Sequence, residues 1–175
     1  MTETPPAPRA RWWQPYVIHA AHRDVGGAIY GLILATALIA VSRRYQPDNS
    51  GFAAVTVVGT ACVFWLAHVY AGVLEIAFER KRKPTWEEAR HILDEEFPLV
   101  QSGLLPTAIL LLGPLGILAD DTAQDLAIAA CLVELAATGT IVAWVAGARW
   151  PVVLLSGAIS LSFGLVVVAL KVFVH

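Results

Sequence analysis

The stretch Gly51 to Glu75 reads GFAAVTVVGTACVFWLAHVYAGVLE, and its first 24 residues carry no charge at neutral pH unless His68 does. As a helix those 24 residues would extend about 36 Å, against a bilayer hydrocarbon core of about 30 Å. A chain built around such a stretch belongs in a membrane. Composition agrees: 57% of residues are hydrophobic, 15% are charged and mean hydropathy is +0.65, a balance foreign to water-soluble domains.

Four further apolar runs accompany it. They cover about Val25 to Val41, Pro98 to Leu118, Gln124 to Ala146 and Pro151 to Val174, separated by turn-forming or charged segments. The expectation is therefore an all-α, polytopic membrane helix bundle with five predicted transmembrane helices. A disordered or interfacial segment, 1–16, precedes a single membrane-embedded domain, 17–175. The proline-rich start cannot bury enough surface to fold alone, and Arg11, Trp12, Trp13 and Tyr16 suit the headgroup layer. The first residues lack the apolar core of a cleavable signal, so this segment is expected to stay on the protein.

Charge placement orients the bundle. With five spans, nine of the 12 lysines and arginines fall on the side of Met1 and three, Arg43, Arg44 and Lys171, on the other. The positive-inside rule then puts the N-terminus in the cytoplasm and the C-terminus outside a cell membrane. The net charge of −2 offers nothing for nucleic acid. The run Arg80 to Lys83 reads first as a topology determinant and second as a contact for anionic lipid.

The polar connection after Glu75 ends in a second pattern. Thr85 and Glu88 have capping-box spacing, and Trp86, Ala89, Leu93 and Phe97 recur every three or four residues. A short amphipathic helix over 84–97 is expected at the cytoplasmic surface.

Small residues mark the faces where helices meet. Gly27, Gly31 and Ala35 in the first span, Gly139, Ala143 and Gly147 in the fourth, and Ser156, Ser160 and Gly164 in the fifth each repeat at fours. Pro106 interrupts the third span, frees the carbonyl of Ser102 and makes a candidate hinge.

Ionisable residues inside spans are His68 and Glu134, with Glu75 at a cytoplasmic boundary. Each is costly in hydrocarbon, so each is a candidate for an ion or proton pathway. Counted along their helices, His68 and Glu134 differ in depth by about 10 Å, too far for a direct hydrogen bond. The plainer alternative makes both of them polar glue between helices. His19 and His22 lie three apart without a third ligand, and Cys62 and Cys131 read as small buried hydrophobes, so no metal or other cofactor is expected. The chain carries no phosphate loop and no motif for a serine or cysteine nucleophile, which argues against an enzyme.

Phe64-Trp65-Leu66-x-His68 and Leu104-Leu105-Pro106-Thr107 resemble patterns in the bacterial and endolysosomal potassium channels of the Phe-Ser-Asp motif. The resemblance covers about a third of the chain and implies a potassium-conducting pore, which chains this short would line only as several copies. The Phe-Ser-Asp itself is absent: Arg23 is followed by Asp24-Val25-Gly26-Gly27-Ala28. Two functions are thus expected. One is an oligomeric ion channel or transporter with proton-responsive groups. The other is a non-catalytic accessory protein that docks on a larger membrane assembly.

Overall fold

In a computed structural model, residues 14–173 are described, with side chains over 25–170. The tail before Gln14, the side chains of His19 and His22, and Lys171 lie outside that range. Seven helices follow in order: α1 (Gln14–Tyr45), α2 (Ser50–Arg80), α3 (Trp86–Glu96), α4 (Pro98–Gln101), α5 (Leu104–Leu110), α6 (Asp120–Val145) and α7 (Trp150–Phe173). Among the described residues there is no strand.

Four helices are long and apolar enough to cross a bilayer: Val25–Tyr45 within α1, then α2, α6, and Trp150–Leu170 within α7. Only 22–33% of the residues in their most apolar stretches are buried. Val55, Val63, Phe163 and Val166 are among the large apolar side chains facing outward. Such a surface suits lipid and would be insoluble in water.

The expected third span is not one helix. Residues 98–118 form α4, α5 and a run of turns, and the chemistry of the break is local. A proline ring clashes with the carbonyl four residues earlier, which for Pro106 is Ser102, and the helix is interrupted at Ser102 and Gly103. Pro106 then stands in the first turn of α5, where a missing N–H leaves no helical bond unmade. Beyond α5, Gly116 turns the chain with φ +71°, and the Ile117 and Leu118 amides close on the Leu112 carbonyl at 3.0 and 3.2 Å.

The segment nonetheless runs antiparallel to α2 along most of its length. Ile92 seats in the notch left by Gly72, and Trp65 donates its indole N–H to the Leu93 carbonyl at 3.2 Å while stacking edge-on with Phe97. Farther along, Gly103 faces Val57 and Pro114 faces Gly51. This helical stack is pinned at its start, where Thr85 caps α3 and the reciprocal bond from the Thr85 amide to Glu88 completes the box at 2.9 Å. The inward face of α3 is centred on Ile92, 7% exposed, whereas Trp86, expected on the apolar stripe, is 77% exposed.

α1 is the hub, packing on α2, α3, α4, α6 and α7. Leu32, Ala35 and Ile39 of α1 meet Ala53, Ala54 and Val57 of α2 and Ala127, Cys131 and Leu135 of α6, with Leu110 of α5 closing the core. The three- and four-residue spacings put each set on one helical stripe. At the end of the bundle near Tyr45, polar groups join the turns. Asp120 accepts from the Ser50 amide at 3.1 Å and from its hydroxyl. Gln124 donates to the Gln46 and Pro47 carbonyls at 3.0 Å each, and Arg43 grips Asp125 through two bonds of 2.8 and 3.2 Å.

Candidate functional site

Glu134 stands between two close helix approaches, one of α6 on α7 and one of α1 on α4. On one side, Gly139 lies against the Ser156 carbonyl and the Ser160 hydroxyl, Gly157 against Ala136 and Thr140, and Gly164 against Leu132 and Leu135. These contacts zip α6 to α7. On the other side, Gly31 of α1 admits the Leu99 carbonyl and the Ser102 hydroxyl so closely that a Cβ there would overlap both. Gly27 makes ordinary contact with Leu99, and Ala35 is buried in the core.

Between α1, α4 and α6 this leaves a cavity of about 310 Å³, lined by Ala28, Leu32, Pro98, Gln101, Ser102, Glu134, Ala137, Thr138 and Ile141. Glu134 is half-buried, and its Oε2 is fully shielded without a hydrogen-bond partner. The other polar atoms of the wall come from Gln101, Ser102 and Thr138. Ser102 donates to the Leu99 carbonyl at 2.9 Å, leaving its oxygen lone pairs toward other donors. Gln101 and Ile141 are exposed, so the mouth lies on the flank of the bundle. By position along α6, Glu134 is about 21 Å from Asp120 and about 17 Å from Val145, near the middle of the helix.

His68 is elsewhere. Its ring is exposed on α2, lies 5.8 Å from the Tyr30 ring, and has Nδ1 at 2.8 Å from the Phe64 carbonyl one turn earlier. It does not line the cavity of Glu134, and no hydrogen bond joins the two. Glu75 is exposed at the far end of α2, where it lines a separate acidic hollow with Glu79, Glu88 and Glu95. Pro106 is fully buried at the start of α5. Ala143 is half-buried and its carbonyl closes the turn to Ala148 at 3.0 Å, while Gly147, with φ +74°, serves that turn rather than a helix face.

Outside the spans, Glu88 is the one carboxylate among the described residues held far from its ordinary range. Arg82, the Thr85 backbone and Arg80 converge on it, and the Arg82 bond in particular holds its pKa at about 2. Both cysteines are free, and among the described residues no three His, Cys, Asp or Glu side chains gather to hold a metal.

Gln101 is a polar wall residue that the sequence did not single out. Its signal was a polar side chain set between two prolines in an apolar run, Pro98 and Pro106. The chain matches no family profile, no curated protein and no solved structure.

Proposed function

We propose that this chain is a small multi-pass membrane protein that moves a proton or small cation by way of Glu134. The observation that carries the reading is Glu134 itself, which lines a cavity beside a broken helix and whose shielded Oε2 has no hydrogen-bond partner. A carboxyl group at mid-helix has no structural bond to maintain, yet it is costly to keep in an apolar bundle. Exchange of a proton for a cation gives it a role that packing does not.

Five crossings go with this function. What supports them is the antiparallel course of 98–118 along α2, which carries the chain from the level of Trp65 to the level of Gly51. With that course counted, the nine-to-three bias of basic residues puts the Arg80 to Lys83 side in the cytoplasm. A pore between copies of so short a chain calls for an oligomer.

The test is flux in proteoliposomes from about pH 5 to about pH 8, a window in which a carboxyl removed from water can titrate. Wild-type flux changes with pH, and Glu134→Gln, which keeps shape but cannot titrate, gives folded protein whose flux no longer follows pH. A Glu134→Gln profile identical to wild type removes Glu134 from the pathway.

A second reading, an accessory protein of a larger assembly, draws on His68. A histidine turned outward at membrane depth is better accommodated against another protein than against lipid. Folded protein with no flux at any pH selects this reading.

A further inference from the structure

We propose that the Glu134 cavity binds a lipophilic organic cation, and that binding releases the proton of Glu134. The inference rests on the reading of Glu134 as a proton-exchanging group and adds the chemical class of what it exchanges for.

Three observations select the class. The cavity, about 310 Å³, has the volume of a small organic ligand site. Its charge is one carboxyl group, and most of its wall is carbon, from Ala28, Leu32, Pro98, Ala137 and Ile141. A calcium ion takes about six to eight oxygen ligands. One carboxylate, one amide and two hydroxyls fall short of that. A ligand with a single positive centre and an apolar body matches both the lone charge and the carbon wall. Third, the mouth, between exposed Gln101 and Ile141, lies on the flank of an apolar helix, with Ile141 about one turn before the end of α6. A solute already dissolved in the bilayer can reach it sideways.

The exchange balances simply. Oε2 of Glu134 has no donor among the described residues, so a proton or a bound cation is what the group can take as a partner. On binding, the O–H bond breaks, the proton passes to water, and the carboxylate is paired by the cation with no new covalent bond. No other ionisable side chain lines the cavity. Cys131, one turn earlier on α6, is fully buried beside Thr36, and α5, along with α7 from Trp150 to Leu170, brings no ionisable side chain against α6.

The probe is benzyltriethylammonium, whose permanent charge cannot itself release a proton. Its binding is measured by equilibrium dialysis against nanodiscs of zwitterionic lipid, with an indicator dye reading released protons. Apparent affinity should rise about tenfold per pH unit while Glu134 is protonated and then level off, with one proton released per cation bound. Glu134→Gln abolishes the proton release and the pH dependence. Ile141→Trp, which crowds the mouth from an exposed position and leaves the carboxyl in place, weakens binding about tenfold. The proposal is overturned if a neutral analogue with carbon in place of nitrogen binds as tightly, or if Glu134→Gln binds like wild type. It is also overturned if the probe fails to bind while Glu134-dependent flux of protons or alkali cations persists, and in that case the transport reading stands. Binding with proton release but no flux of any ion supports this ligand class and overturns the transport reading instead.

Discussion

Gly31 and Gly59 are both mid-helix glycines in apolar surroundings, and they demand different things. At Gly31 a Cβ would overlap the Leu99 carbonyl and the Ser102 hydroxyl, whereas at Gly59 it would meet nothing within 4 Å. Gly31→Ala should therefore lower stability by about 1–3 kcal/mol, since backbone cannot step aside as a flexible side chain can. Gly59→Ala should be neutral or gain about 0.5–1 kcal/mol from reduced freedom of the unfolded chain. Thermal melting of both variants in one detergent checks the contrast, and equal shifts would refute it. The four-residue repeat of Gly27, Gly31 and Ala35 was legible in the sequence, but its partner was not. In a membrane protein the lipid-facing and protein-facing sides of a helix are equally apolar, so periodicity does not say what a groove receives. The same blindness hid His68 on an outward face and left Gln101 unnoticed beside Glu134.

Among the elements, α3 is held by charge as much as by packing. Glu88 binds Arg80, Arg82 and the Thr85 amide together, which joins the end of α2 to the start of α3. Its pKa is depressed from 4.5 to about 2 in the folded protein. A depressed carboxylate stabilises the fold above its unfolded pKa and loses that contribution as pH falls through the folded value. The docking of α3 should thus weaken between about pH 4.5 and about pH 2, seen as lost amide protection of Trp86 to Glu96 after correction for intrinsic exchange. Glu88→Gln should weaken the docking at neutral pH and flatten its pH dependence over that window; a variant with wild-type pH dependence would show that another group holds α3. This element was legible because its information is local: a cap, a box and a turn of apolar spacing. Residues 98–118 were legible in polarity alone. Hydropathy averages over Pro106, behind the break at Ser102 and Gly103, and over Gly116, which turns the chain with φ +71°, and neither makes the run more polar.

For the whole molecule, the decisive measurement concerns sides. Single cysteines at Pro47 and Leu115 should both label from outside the cell, and cysteines at Lys83 and Ala148 only after the membrane is opened. If Leu115 labels with Lys83, residues 98–118 enter and leave by the same face and the five-crossing arrangement fails. The broken course also has a consequence for the lipid around it. From the Trp65 level to the Gly51 level it covers 14 residues of α2, about 21 Å, while α2 itself, with 31 residues, extends about 46 Å. In the proposed five-crossing arrangement, the uncharged stretch Gly51 to Leu74, about 36 Å, exceeds a hydrocarbon layer of about 30 Å while the course beside it falls short, a mismatch that lipid relieves by thinning beside α4 and α5. The thin place falls on the flank where Gln101 stands. On the proposed reading of Glu134 as a proton-exchanging group, a thinner layer there lowers the dielectric barrier between it and water, and hydrophobic mismatch, a property of the boundary lipid, becomes one of the controls on that exchange.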